Sequence, residues 1–125
     1  MDIERCRQFA ISSLNTARRY AADPAMCHVA PDETYTACMW AIEYWLRTHG
    51  YQPDAGNGWQ SMLFQFVDLV PRDDPAHDLY IAALLSGTKQ GFYVGWPDED
   101  PPVRDEALSQ LLDRVQRALT QVFEA

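Results

Sequence analysis

The sequence is poor in cysteine, and the few it has are not spaced for a cross-linked fold. There are three cysteines, an odd number, and no CxxC pair, which argues against a disulfide framework and a zinc knuckle. Cys27 and His28 are adjacent and close to Asp32 and Glu33, but adjacent ligands do not complete a tetrahedral metal site. We therefore predict reduced thiols in a cytoplasmic protein that holds no metal and no other cofactor.

Long apolar runs and known catalytic signatures are also missing. No apolar run approaches the roughly 20 residues that cross a bilayer. The opening stretch MDIERCRQFA alternates charges where a secretory signal is apolar. We expect neither export nor membrane insertion. There is no GxSxG elbow, phosphate-binding loop or HExxH, so the common hydrolase classes are not indicated.

Positive charge is scarce. Ten Lys and Arg face eighteen Asp and Glu, for a formal net charge of -8. The excess of acidic residues lies mainly in the second half: residues 1–50 contain six acids and five arginines, and residues 51–125 contain twelve acids and five bases. An acidic chain opposes a broad electrostatic grip on nucleic acid and suits a basic protein partner, which we expect on the acidic second half.

Helical periodicity is what the sequence has in plenty. A chain of 125 residues that is 47% hydrophobic is expected to form one domain, residues 1–125, with a substantial core. Five segments space apolar residues three or four apart: 2–22, 32–50, 57–70, 74–88 and 103–122, the last of which begins after Pro101 and Pro102. Short loops join them. We predict an all-α protein, an antiparallel up-and-down four-helix bundle with a fifth, shorter helix.

Capping signals predict where three of these helices start. Asp32 is expected to cap the second helix, and Asn57 with Gln60 forms a capping-box-like start for the third. Asp74 is followed by Pro75, a pair typical of the N-cap and first helical position, which indicates the start of the fourth. Gly87 and Gly91 flank its expected end.

The stretch MWAIEYWLRTHG, residues 39–50, resembles the HEPN family, helical domains found in toxin–antitoxin systems and beside nucleotidyltransferases. In that family a small or apolar residue, a glutamate, a basic residue and a terminal glycine recur in one helix, as do Ala41, Glu43, Arg47 and Gly50 here. Upstream, LNTARRYAAD is similar to the family's first helix. The resemblance covers most of the chain and implies a HEPN-like bundle.

The resemblance also implies an activity. Members that cleave RNA carry an arginine and, a short interval later, a histidine near a dimer interface, and Arg72 and His77 fit this spacing. The chain would then be a metal-independent ribonuclease toxin in which Arg72 polarises the phosphate and His77 moves a proton. In active members the residue beside the arginine is commonly an asparagine or a similar polar residue, whereas here it is Asp73. The residues themselves favour another interpretation, because capping by Asp74 and Pro75 leaves Arg72 in a loop.

Other side chains could bind a ligand or a partner. Glu43 and Arg47 could hold a ligand between helices, or they could be an ordinary ion pair one helical turn apart. Trp40 and Tyr44 lie off the main apolar stripe of their helix. They indicate either a surface covered by a second copy or a central helix that is apolar all round.

Tyr93 and Trp96 belong to an aromatic cluster flanked by glycines, which could form the rim of a pocket or pack under the helices. Taken together, these patterns favour a non-catalytic helical interaction module that resembles a degenerate HEPN domain, self-associates and binds a protein partner. The ribonuclease is one alternative. An acidic antitoxin or immunity-type protein that blocks a basic nuclease is another.

Overall fold

The computed structural model describes residues 2–54, 56–92 and 101–124, and this part of the chain is built from α-helices. The helices are α1 (Ile3–Ala21), α2 (Ala30–Thr48), α3 (Trp59–Leu69), α4 (Asp78–Phe92) and α5 (Pro101–Phe123). Single 3₁₀ turns, Cys27–Val29 and Pro75–His77, precede α2 and α4, and a three-residue strand, Gly56–Gly58, precedes α3. The predicted all-α class is confirmed.

Small residues bring α1 close to α2. The side chain of Asp2 caps α1 by accepting a hydrogen bond from the backbone N–H of Glu4 at 3.2 Å. Along the helix, residues three or four apart are buried: Cys6, Ala10, Leu14 and Ala17. Because most of these side chains are small, the two helix backbones can approach closely, and this is the most extensive helix contact in the fold.

Helix α2 occupies the centre of the described chain, in contact with all four other helices. Its start corrects the sequence prediction. The helix begins at Ala30 with Val29 as an N-cap that makes no side-chain hydrogen bond, and Asp32 lies within the first turn. Pro31 explains the earlier start, since proline is suited to the first turn of a helix. Asp32 still stabilises the positive end of the helix there.

The starts of α3 and α4 differ from the predictions in detail. Gly58, not Asn57, is the N-cap of α3, and its φ of 70° favours glycine. Asp74 does cap the next element, with its Oδ1 accepting from the N–H of Ala76 at 2.9 Å. The chain then makes a 3₁₀ turn before α4, which continues through Gly87 to Phe92 instead of ending near residue 88.

The side chain of Gln65 anchors the segment between α2 and α3. Gln65 accepts a hydrogen bond from the backbone N–H of Asp54 at 2.7 Å and donates one to the carbonyl of Gln52 at 2.9 Å. Both hydrogen bonds join residues more than ten positions apart in sequence. Residues 52–54, which have no secondary structure of their own, are therefore held against the side of α3.

The core contains one continuous apolar cluster drawn from all five helices. Phe66, Met39, Ile42, Leu46 and Leu79 are among its largest fully buried side chains. Helices α1 and α2 run antiparallel, since Cys6 contacts Glu43 whereas Phe9, further along α1, contacts Trp40, which lies earlier on α2. No helix in the described part of the chain is both long enough and apolar enough to cross a bilayer.

Candidate functional site

The Arg72 and His77 pair lies on either side of the Asp74 cap. Arg72 is exposed in the turn that precedes the 3₁₀ turn, and His77 is the last residue of that turn. The backbone N–H of His77 donates to the carbonyl of Asp74 at 2.9 Å, and its ring lies 5.9 Å from that of Tyr80. Within the described residues, no hydrogen bond joins the two candidate catalytic side chains.

An arginine from a distant helix pairs with one of the carboxylates near His77. Arg114 of α5 donates from Nε to both carboxylate oxygens of Asp78, at 3.1 and 3.2 Å, and from Nη2 to Oδ1 at 2.6 Å. These hydrogen bonds raise the pKa of Arg114 above its usual range. The geometry is that of a bidentate structural ion pair, and it fixes the start of α4 against α5.

Glu43 and Arg47 form a polar cluster with Cys6, set between α1 and α2. The Nε of Arg47 lies 3.2 Å from Oε2 of Glu43, and the two side chains are only 23% and 13% exposed. The Cys6 thiol donates to the same carboxylate oxygen at 3.0 Å. The predicted ion pair is thus present, but it is largely buried and shared with a thiol that the sequence did not indicate.

The chemistry of this cluster is structural. Burial, and then the neighbouring Glu43 carboxylate, raise the pKa of Cys6 to about 12. The thiol therefore stays protonated, as a hydrogen-bond donor needs to be, and it is a poor nucleophile. Glu43 is already occupied by Cys6 and Arg47, so a ligand would have to displace one of these contacts to bind there.

Trp40 and Tyr44 both contact aromatic rings of the same chain. The ring of Trp40 lies 5.0 Å from Phe9 on α1 and 5.5 Å from Trp59 on α3, and Trp59 lies 6.3 Å from Tyr35. We call Phe9, Tyr35, Trp40 and Trp59 the aromatic surface; Phe9 is 38% exposed and the other three are half-buried. Because α2 lies at the centre of the described chain, it carries apolar residues on all of its sides.

Tyr44 lies on another side of α2. Its ring meets that of Phe123, near the end of α5, edge to face at 4.9 Å. The guanidinium of Arg7 lies 5.8 Å from the same Phe123 ring. Tyr44 thus helps to join α1, α2 and α5. The remaining binding candidates, Tyr93 and Trp96, lie outside the described residues.

A cleft at the carboxyl end of α2 was not anticipated from the sequence. We call it the α2 cleft: a cavity of about 350 Å³ lined by Tyr44, Trp45, Thr48, His49, Asp74, Ala76, Gln121 and Val122. The Nδ1 atom of His49 lies 2.8 Å from the carbonyl oxygen of Trp45, and its ring stacks on that of Trp45 at 4.0 Å. Asp74 and Gln121 come from elements far away in sequence, so only the fold assembles this cleft.

No group of three His, Cys, Asp or Glu side chains in residues 2–54, 56–92 and 101–124 is arranged to hold a metal ion. Comparisons with models of known protein families, with characterised proteins and with solved structures found no match.

Proposed function

We propose that this chain is a non-catalytic helical interaction module, an antiparallel bundle that resembles a degenerate HEPN domain and pairs with a second copy of itself through the aromatic surface. The observation that carries the proposal is the clustering of four partly exposed aromatic rings from three helices. Aromatic side chains are enriched where proteins associate, since they bury much area at a low entropic cost.

The distribution of charge supports a second copy as the partner of this surface. Three of the four rings belong to the first fifty residues, where six acids and five arginines nearly cancel. Two copies can therefore meet there without strong repulsion, even though the whole chain carries a net charge of -8. The acidic second half, with exposed carboxylates at Asp68 and Glu124, stays available for a basic protein partner.

Replacing Phe9 by Arg is expected to shift the protein from dimer to monomer. The substitution puts a charge at the exposed edge of the aromatic surface, where a second copy would have to desolvate it. The molar mass measured by sedimentation or light scattering at micromolar concentrations should fall to that of one chain. Phe9 is 38% exposed, so the fold should tolerate the change.

Phe64→Arg is the matched control, because Phe64 is also exposed, at 54%, and makes no ring contact with the aromatic surface in the described residues. This variant should keep the mass of the unaltered protein. A monomeric unaltered protein at all concentrations tested, or equal effects of both variants, would contradict the proposed pairing.

Purified protein is expected not to cleave RNA without metal, and His77→Ala should leave that result unchanged. Arg72 is exposed in a turn, while the backbone of His77 completes the turn capped by Asp74, so each has a structural setting of its own. Incubation with labelled single-stranded RNA in the presence of a chelator checks this. Cleavage that His77→Ala abolishes would favour the ribonuclease alternative instead.

A further inference from the structure

The α2 cleft has a negative electrostatic character that the proposed pairing surface does not use. Asp74 contributes a carboxylate whose Oδ1 caps Ala76, while Oδ2 has no hydrogen-bond partner among the described residues. An adjoining cavity of about 300 Å³ shares Asp74 and Gln121 and adds Glu124. Neither cavity is lined by a lysine or an arginine from the described part of the chain.

Two helix ends add to this character. Helix α2 ends at Thr48 and α5 at Phe123, and residues from the last turn of each line the cleft. The carboxyl end of a helix carries the negative end of its dipole and favours a cation nearby. The amino end of the 3₁₀ turn Pro75–His77 also lies at the cleft and has the opposite, positive character. Its Ala76 N–H, however, already donates to the Asp74 carboxylate.

The aromatic wall of the cleft is held rigidly. Because a carbonyl oxygen can only accept, the 2.8 Å contact with Trp45 assigns the proton to Nδ1 of His49. The Trp45 ring is held in turn by Phe66, edge to face at 5.2 Å. His49 is thereby oriented, and its Nε2 has no hydrogen-bond partner among the described residues. In the neutral ring that atom is an acceptor.

We propose that the α2 cleft binds a small organic ammonium compound, with the charged nitrogen at the Asp74 carboxylate and the apolar part of the ligand against the aromatic side chains of α2. The carboxylate and the helix carboxyl ends attract a cation, the aromatic side chains of α2 offer an apolar wall, and these features converge in one cleft. Its volume of about 350 Å³ is that of a small-molecule site.

Titration of the full chain with butylammonium tests this site, with binding followed by backbone amide chemical shifts. Saturable shifts are expected at Thr48, His49 and Gln121. The neutral analogue 1-butanol and the anion butyrate should produce no saturable shifts at these positions. Asp74→Asn should weaken butylammonium binding by about tenfold, the usual loss when a charge-assisted hydrogen bond is removed. The asparagine oxygen can still cap Ala76, which preserves the turn.

Asp68→Asn is the matched control, since it removes the same charge from an exposed position on α3 outside the cleft. Binding to this variant should equal binding to the unaltered protein. Equal weakening by the two variants would mean that net charge alone attracts the cation. That result, saturable binding of 1-butanol at the same residues, or no saturable shift with butylammonium would overturn the proposal.

Discussion

Raising the pH from about 9 to about 11 is expected to lower the free energy of unfolding by about 4 kcal/mol, near 2 kcal/mol for each of two buried thiols. Cys6 and Cys38 are fully buried. Burial is the main cause that raises the pKa of each from 9.0 to about 12. Deprotonating either one inside the core would place a thiolate where it cannot be solvated.

The sign follows from proton counting. Above about pH 9 the unfolded chain releases both thiol protons while the folded chain keeps them, so alkali favours unfolding. The stabilisation is fully present below that pH and is lost as the pH rises towards about 12. Burial also raises the pKa of Tyr35, which acts in the same direction.

Urea unfolding followed by circular dichroism, in the presence of a reductant and at several pH values, measures this dependence. In the double variant Cys6→Ala, Cys38→Ala, the free energy of unfolding should fall much less steeply as the pH rises above about 9, even if its stability at neutral pH is lower. We call this dependence the alkaline slope. Cys27→Ala is the control, because Cys27 is only partly buried, and it should retain the full slope. An unchanged slope in the double variant would show that other groups cause the alkaline loss.

Replacing Phe66 by Ala is expected to lower the free energy of unfolding by about 3–5 kcal/mol, as is usual when a large buried aromatic side chain is removed. Phe66 is fully buried, and its ring packs edge to face on Trp45 at 5.2 Å. A loss of this size is a large part of the total stability of a small domain, about 5–15 kcal/mol. It would also loosen the ring on which His49 stacks.

Phe64→Ala offers a close comparison on the same helix. Phe64 is 54% exposed, two positions before Phe66, so its removal should change the free energy of unfolding by no more than about 0.5 kcal/mol. Urea unfolding of both variants gives the two values directly. Similar losses at the two positions would mean that the apolar face of α3 is not the one that packs on α2.

Local signals predicted helix positions well where the chain itself supplies the hydrogen-bonding group. Asp74 caps its turn as expected, because a side-chain oxygen followed by proline suits that position. The prediction was wrong at Asp32, where Pro31 let the helix start earlier, and at Asn57, where Gly58 supplies the positive φ. In both cases a neighbouring residue with special backbone geometry outweighed the capping side chain.

The candidate sites were less accessible to prediction. The pairing of Glu43 with Arg47 could be anticipated from their spacing, but the burial of the pair and the Cys6 hydrogen bond could not. The α2 cleft likewise needs Asp74 and Gln121 beside His49. A histidine at a helix end is too common a feature to indicate such a cleft by itself.

By itself, the sequence determined the all-α class, the approximate helices and the uneven distribution of charge, since these depend on periodicity and composition that are local to the chain. Only the tertiary structure decided that α2 is central, that Trp40 and Tyr44 meet rings from other helices, and that Asp78 pairs with Arg114. Such contacts join residues tens of positions apart, and their geometry depends on how whole helices pack, which no local pattern encodes.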